Sequence, residues 1–257
     1  GRVMFRNTRA RISGFPARQL QDHPLPAPAE YDITPADYPT QEIPPDWCLT
    51  PERIHAALGR SHWWRIDPRV DWLTGFLRQH PESKLLLICA QAQTALELQE
   101  ALRKESGIQA GLFHEGMSII ERDRAAAWFA DPEGARLLIC SEIGSEGRNF
   151  QFAHRLVMFD LPADADLLEQ RIGRLDRIGQ RYDVEIHVPY LDPGPQSLML
   201  HWYRDGLDAF RHQVQGGAEI PESLSRNLWT QLTQPGYPDT PTPVSYTHLR
   251  AHETATY

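Results

Sequence analysis

Short apolar runs alternate with amphipathic segments through the middle of the chain. Five runs have the length and composition of buried strands, at residues 85–89, 109–113, 136–140, 156–159 and 184–190. Four segments beside them carry apolar residues at helical spacing, at residues 69–80, 92–103, 118–130 and 164–173. Ser118 and Glu121 have the spacing of a capping box at the start of one helix. This alternation predicts an α/β fold, a three-layer parallel sheet with helices on both faces.

The flanking sequence departs from this pattern. Eight prolines lie between Pro24 and Pro51, and because proline fixes φ and lacks an amide donor, they predict an extended connector without helix or strand. Residues 196–213 have the apolar spacing of a last helix packed on the sheet, and residues 220–232 that of one further helix. From residue 235 the chain is rich in Pro and Thr and aperiodic, which predicts a disordered or artefactual tail.

Composition narrows the class of protein. The 257 residues include 26 Lys and Arg against 34 Asp and Glu, a net charge of −8, which argues against a generally basic nucleic-acid-binding surface and leaves a local one open. No apolar run reaches the length of a membrane helix, about 18 residues, so we expect a soluble, cytoplasmic protein. Three cysteines without a close pair indicate a reducing compartment, and the scattered histidines predict no metal site.

The segment from Gln170 to Gln180 carries the strongest signal of chemistry. Four apolar residues would form one stripe on a helix: Leu168, Ile172, Leu175 and Ile178. Three arginines would lie on the adjoining stripe: Arg171, Arg174 and Arg177. Such a row suits an anion, although a solvated helix face with Glu169 and Asp176 as partial compensation is the plain alternative. Gly173 costs a helix about 1 kcal/mol relative to alanine, and this favours phosphate binding.

Candidate ligand residues follow successive strands of the predicted sheet. Residues 114–116 follow the second strand, residues 141–149 follow the third, and Asp160 ends the fourth. Ligands of such sheets bind beyond the carboxyl ends of the strands, so these loops and the arginine segment should converge on one edge. Gly144 and Gly147 could let backbone amides approach a phosphate, although two glycines at this spacing usually form only a turn.

The arginine segment resembles motif VI of superfamily 2 helicases and translocases. The matching residues are Gln170, Arg171, Gly173, Arg174, Arg177, Gly179 and Gln180. The ending Arg-Ile-Gly-Gln is similar to that of the Swi/Snf-type branch. The resemblance implies that Arg174 and Arg177 act as catalytic arginine fingers on the phosphates of ATP. It also places Gln170, Arg171 and Gly173 at the nucleotide.

The loop after the third strand is similar to motif V of the same superfamily. Ser141, Gly144, Gly147 and Asn149 are the matching residues. The similarity implies that Ser141 and Asn149 contact a nucleic-acid backbone. It also implies that Gly144 and Gly147 lie at the nucleotide.

Three more residues are implicated by their positions in the resemblance. Gln91 lies where motif IV is found and is implied to approach a nucleic-acid phosphate. Gly116 and Arg122 match the loop and helix start that build the nucleic-acid and interlobe side of the site in that family. For Arg122 an ordinary charge pair at a helix N-terminus is an equal alternative.

Half of an ATP site is missing from the sequence. There is no Gly-x-x-x-x-Gly-Lys-[Ser/Thr] segment and no Asp-Glu-x-His after an apolar run. Such a chain lacks the phosphate-binding lysine and the Mg²⁺-binding acid, so it cannot activate ATP alone. It also starts without Met. We therefore expect an inactive fragment, with ATP and Mg²⁺ held mainly by a missing first lobe.

Three longer runs narrow the resemblance to Swi/Snf-type ATPases that associate with bacterial RNA polymerase: residues 113–129, 140–152 and 158–162. This resemblance implies an ATP-dependent DNA or RNA translocase that binds and recycles RNA polymerase in the bacterial cytoplasm, at the nucleoid. The alternative is a non-catalytic module with a helicase-like fold that docks a protein through its acidic surface. An RNA helicase lobe is less favoured because of the Arg-Ile-Gly-Gln ending.

The resemblance also divides the chain. Residues 1–30 would end a preceding lobe, and residues 31–66 would form a proline-rich linker. Residues 67–215 would form the helicase C-terminal domain. A trailing helical segment over 216–234 and the tail over 235–257 would complete it.

Overall fold

The computed structural model describes residues 15–31, 44–142, 150 and 152–213. Six strands are present there: β1 (Arg18–Pro26), β2 (Leu85–Cys89), β3 (Ala110–Phe113), β4 (Leu137–Ser141), β5 (Arg155–Met158) and β6 (Val184–Asp192). The same ranges contain six α-helices: α1 (Pro51–Ala57), α2 (Pro68–Gln79), α3 (Ala92–Ser106), α4 (Ile119–Ala130), α5 (Ala165–Ile172) and α6 (Pro195–His201). Within these ranges no helix combines the length and apolar character needed to cross a membrane.

All six strands pair in parallel in one sheet, in the order β1-β6-β5-β2-β4-β3. In the centre, Leu87 of β2 lies opposite Ile139 of β4 and Val157 of β5. Because every strand runs the same way, all carboxyl ends meet at one edge. The predicted α/β fold with a parallel sheet is confirmed.

Helices cover both faces of the sheet. Leu86 and Ile88 belong to a core cluster shared with residues of α4, α5 and α6, whereas Leu85 and Leu87 belong to a second cluster shared with α2 and α3. Successive side chains of a strand point to opposite faces, so a strand between two helical layers must be apolar throughout. This explains the uninterrupted apolar runs in the sequence.

Three of the described helices, α2, α4 and α5, begin at a residue whose side chain caps them. The predicted capping box is present: the Ser118 hydroxyl accepts from Glu121 N at 3.3 Å, and Glu121 Oε2 accepts from Ser118 N at 2.8 Å. Asp67 caps α2 by accepting from Arg69 N at 3.0 Å. Asp164 caps α5. These contacts satisfy amides that have no partner within the helix.

Strand β1 was not predicted. It pairs along its whole length with β6, from Arg18 opposite Val184 to Pro26 opposite Asp192, although the prolines from Pro24 onward indicated a connector. The strand is at the edge of the sheet. Pro24 and Pro26 are two residues apart, so both can lie where the backbone nitrogen faces solvent and no hydrogen bond of the sheet is lost. The connector prediction was wrong at this end.

The connector prediction was also wrong for residues 44–51, and regular structure continues beyond them to Arg65. This stretch contains a 3₁₀ turn at Pro45–Leu49, helix α1 and a second 3₁₀ turn at Trp63–Arg65. Trp63 is only 2% exposed and belongs to the core beside α2 and α3. Burial of an indole is strongly favourable. The stretch therefore packs on the sheet domain, and the predicted domain boundaries remain predictions.

The last predicted helix is shorter than expected. Helix α6 ends at His201 and continues as a π-helical turn over Trp202–Gly206. The segment predicted as a further helix, residues 220–232, lies outside the described residues, as do Gly144, Gly147 and Asn149.

Candidate functional site

The arginine segment is not one continuous helix. Helix α5 ends at Ile172, and a Cβ added at Gly173 would lie 3.1 Å from the Glu169 carbonyl oxygen. Gly179 has a φ of +94°, a conformation that favours glycine. Leu175 is buried, but Ile178 is 57% exposed. The predicted apolar stripe therefore ends at Leu175.

Arg171 is buried and already paired with carboxylates. Its Nε lies 2.9 Å from Glu142 Oε2, and its two terminal nitrogens donate to the carbonyl and carboxylate of Asp160 at 2.7 and 3.0 Å. Burial would lower the pKa of Arg171, but the two acids raise it well above its ordinary value. Arg171 was predicted to lie in an anion-binding row; with its charge compensated inside the domain, its geometry is that of a structural cation.

Asp160 joins the strand ends at this edge. Its side chain accepts from Ala90 N, directly after β2, at 2.8 Å, while it also accepts from Arg171. Gln91 follows Ala90 and is the N-cap residue of α3. Gln91 therefore lies beside the carboxyl end of β2, as the sequence predicted.

Arg174 and Arg177 differ from Arg171 in their surroundings. The Arg174 side chain is buried, and its Nε donates to the Gln170 carbonyl at 3.2 Å. Arg177 is exposed, and its Nε donates to the Gly173 carbonyl at 3.0 Å. In the described part of the chain no carboxylate pairs with Arg177, so its terminal nitrogens can bind an anion.

The side chain of Gln180 stabilises the C-terminal end of the arginine segment through hydrogen bonds. Its Nε2 donates to the Ala153 carbonyl at 2.8 Å, and its Oε1 accepts from Arg181 N at 2.9 Å. The side chain thereby links the segment to the residues before β5. Gln180 was noted in the motif without a role, and its contacts are with backbone groups that no sequence pattern reveals.

A second group of predicted residues meets where β3 and β4 end. The Ser141 hydroxyl donates to Glu115 Oε2 at 2.6 Å, and Arg122 donates to the Glu115 carbonyl at 2.8 Å. Gly116 N donates to His114 Nδ1 at 3.1 Å. Partial burial would raise the pKa of Glu115, but the Ser141 hydrogen bond and nearby positive charges hold it below its ordinary value. Glu115 was not among the predicted site residues.

Arg18 of β1 reaches the arginine segment from the opposite end of the sequence. Its Nε donates to Asp176 Oδ2 at 2.6 Å, and its terminal nitrogens donate to both oxygens of Glu169 at 2.7 and 3.0 Å. The Arg18 side chain is 4% exposed. No sequence signal indicated this contact, because the partners lie 158 and 151 residues away.

Arg69 forms the most deeply buried ionic cluster of the described residues. It donates to the carboxylates of Asp67 and Glu52, to the Phe159 carbonyl at 2.9 Å, and its guanidinium lies 4.2 Å from the Phe159 ring centroid. Tyr31 donates its hydroxyl to Asp67 at 2.9 Å. Burial would lower the pKa of Arg69, but the carboxylates raise it well above its ordinary value. The cluster ties α1 and Tyr31 to the end of β5.

The structure thus places five of the predicted site residues at or beside the carboxyl ends of the strands: Gln91, Gly116, Arg122, Ser141 and Arg171. Gln91, Ser141 and Arg171 lie at strand ends or touch residues that do. Among the described residues no group of three His, Cys, Asp or Glu side chains could hold a metal ion. Cys89 and Cys140 are buried free thiols.

Comparison with known proteins defines the class and the family. The model of the helicase conserved C-terminal domain matches residues 68–179, and that of the RNA polymerase recycling family C-terminal region matches residues 183–256. The fold and these matches define the second, RecA-like lobe of a superfamily 2 helicase or translocase. The second match includes the tail that the sequence predicted to be disordered or artefactual.

Two curated relatives are from Pseudomonas putida. The RNA polymerase-associated protein RapA of strain KT2440 is 59% identical over 89% of this chain and 24% of its own length. That of strain W619 is 54% identical over 90% of this chain and 24% of its own length. The chain belongs to the RapA family of Swi/Snf-type proteins. It spans about a quarter of the length of these relatives.

A solved structure supports the fold. The SWI2/SNF2 ATPase core of Sulfolobus solfataricus, determined in complex with dsDNA, matches 82% of this chain and 49% of its own, with a TM-score of 0.57 and 14% identity. At this identity the likeness concerns the fold.

Proposed function

We propose that this chain is the second motor lobe of an ATP-dependent nucleic-acid translocase that associates with RNA polymerase. Arg174 and Arg177 would supply positive charge to the phosphates of ATP held mainly, with Mg²⁺, by the preceding lobe. The observation that carries the proposal is the contrast within the arginine segment: Arg171 is neutralised inside the domain, while Arg177 is exposed without a carboxylate partner among the described residues.

The residues of this chain would have distinct tasks. Arg177 would bind phosphate oxygens directly, and Arg174, held by the Gln170 carbonyl, would approach from the same segment. ATP supplies the phosphoryl group whose transfer to water releases free energy, and positive charge at the phosphates stabilises the transition state. Gly144, Gly147, Gln170 and Gly173 would shape the nucleotide side of the edge.

The nucleic-acid side would lie along the ends of β2, β3 and β4. Gln91 and Ser141 are located at two of these ends, and Gly116 and Arg122 lie around Glu115. Together with Asn149, they would contact the phosphate backbone of DNA, or of RNA. Contacts of this kind position a strand without reading its sequence.

The proposal is tested with the intact protein. Arg174→Ala and Arg177→Ala should each lower the kcat of ATP hydrolysis by about 10³-fold or more, which is the range found for arginine fingers. Arg181→Ala, an exposed arginine just beyond the motif, is the matched control and should leave kcat unchanged. If kcat is unchanged in both finger variants, the assignment fails.

Partner binding is tested separately. The proposal expects binding to purified RNA polymerase and a salt-sensitive affinity for duplex DNA. The net charge of −8 favours the alternative of a non-catalytic docking module. Binding to polymerase without affinity for DNA or RNA, together with finger variants of normal ATPase activity, would support that alternative.

A further inference from the structure

Arg18 connects three elements through one side chain. It belongs to β1, pairs with Glu169 on α5, and pairs with Asp176 in the arginine segment. The Arg18 and Asp176 side chains are 4% and 1% exposed. Burial alone would lower the pKa of Arg18, but the two carboxylates raise it above its ordinary value, so the side chain remains charged.

The contacted position is well placed to orient the finger residues. Asp176 lies between Arg174 and Arg177 in the sequence, and the backbone there is outside helix α5. Turn hydrogen bonds hold this stretch instead of a continuous helix, such as Asp176 N to the Ile172 carbonyl at 3.0 Å and Arg177 N to the Leu175 carbonyl at 3.1 Å, and side-chain contacts add to its stability. Two further hydrogen bonds hold the segment. Phe150 N donates to the Arg174 carbonyl at 3.4 Å, and Gln180 Nε2 donates to the Ala153 carbonyl at 2.8 Å.

We infer that Arg18 is a positioning residue that holds the segment 173–180, through Asp176, in the conformation that presents Arg174 and Arg177 at the edge of the sheet. The catalytic consequence rests on the proposed function, whereas the positioning itself does not. Through this contact the orientation of the arginines depends on the edge strand β1 being in place.

The attachment of β1 does not depend on Arg18 alone. The strand pairs with β6 along nine residues, and Asp22 forms an ion pair with Arg204 at 2.9 Å. Asp22 belongs to the same strand, and no contact joins it to residues 173–180 within the described ranges. Asp22→Ala is therefore the matched control, since it removes an ion pair of β1 without touching the arginine segment.

The two arms of Arg18 can be separated. Asp176→Asn removes the charge partner in the arginine segment and leaves the bidentate contact with Glu169. Glu169→Gln weakens the contact with α5 and leaves that with Asp176. A purely structural role would make the two variants equivalent. A positioning role makes Asp176→Asn the more harmful one for the segment.

The first measurement is hydrogen exchange of the whole chain, followed by mass spectrometry. Peptides spanning residues 174–180 should exchange about tenfold faster in Arg18→Ala and Asp176→Asn than in the unaltered chain, and Asp22→Ala should show no change there. Peptides of β6 report whether β1 is still attached. If Arg18→Ala detaches β1, the exchange rate of residues 174–180 in Asp176→Asn becomes the test of the inference. Unchanged exchange over 174–180 in that variant would overturn the inference.

The second measurement is ATP hydrolysis by the intact protein. Arg18→Ala should lower kcat by roughly tenfold or more with little change in KM, because misplaced groups lose rate at an unchanged affinity. Arg18→Lys, which keeps one charged contact, should restore part of the rate. Faster exchange with normal kcat, in a protein whose Arg177→Ala variant is impaired, would also overturn the inference.

A failure of the proposed function is distinguishable from these results. If Arg174→Ala and Arg177→Ala leave kcat unchanged, the finger assignment fails regardless of Arg18. Hydrogen exchange over residues 174–180 still decides whether Arg18 holds the segment.

Discussion

Replacing Arg171 by alanine should destabilise the protein strongly, whereas the same change at Arg177 should not. Both residues belong to the same motif, and their spacing in the sequence gives no reason to distinguish them. In the structure Arg171 is buried between Asp160 and Glu142, and Arg177 is exposed. The two substitutions remove the same side chain from opposite environments, so their difference measures the effect of the environment.

The magnitude follows from the exposure of the partners. The Asp160 side chain is 1% exposed and would lose its cation, while Glu142, at 20%, can regain some water. Breaking a buried ion pair from one side costs about 3–5 kcal/mol. With one partner partly hydrated we expect about 3 kcal/mol for Arg171→Ala, and under about 0.5 kcal/mol for Arg177→Ala.

Urea unfolding followed by circular dichroism gives both values, and thermal unfolding provides a check. For a chain of this size, a loss of about 3 kcal/mol corresponds to a Tm lower by roughly 6–12 °C. Arg171→Lys, which keeps the charge but cannot form the same pair of hydrogen bonds, should fall between. A loss below about 1 kcal/mol in Arg171→Ala would refute the structural role.

Three further predictions concern stability in urea unfolding. Arg69→Ala should lower the free energy of unfolding by about 3–5 kcal/mol, because two buried carboxylates lose their cation. Arg65→Ala removes an exposed ion pair and should lower it by under about 1 kcal/mol. Equal losses in the two variants would contradict this prediction. Gly75→Ala, in α2 with open space around the new methyl, should stabilise by about 0.5–1 kcal/mol, whereas Gly179→Ala, at φ +94°, should destabilise by about 1–2 kcal/mol. Burial and a neighbouring histidine lower the pKa of His187 to about 4, so the unfolded chain binds more protons between pH 6.5 and 4. Stability should therefore fall as pH falls through that window, and less steeply in His187→Gln; equal slopes would disprove this.

The sequence predicted the central part of the fold well, for a physical reason. The strands β2 and β4 are buried at every position and almost entirely apolar because both faces of the sheet are covered, so they differ clearly from amphipathic helices. Strand β1 gives no such signal. Apart from the buried side chain of Arg18, its residues are exposed or only half-buried, since the strand lies at the edge of the sheet. Prolines in that strand then favoured the wrong interpretation.

The candidate site was predicted in location but not in detail. Residues following parallel strands must meet at one edge, so Gln91 and Ser141 could be placed there without a structure. The spacing of three between arginines suggested a helix, but Gly173 and Gly179 allow the chain to leave it. The burial of Arg171 depends on Asp160 and Glu142, which are adjacent only in the folded chain, and periodicity carries no information about such pairs.

The placement of β1 also has a consequence for how the chain is made. Its partner β6 is synthesised more than 150 residues later, since Arg18 lies opposite Val184. On the ribosome β1 must therefore remain unpaired until nearly all of the domain has emerged, and closing such a long loop is entropically costly. While β1 is unpaired, its polar side chains and prolines oppose pairing with the strands of other nascent chains. The features that concealed this strand in the sequence are thus those that protect it before it folds.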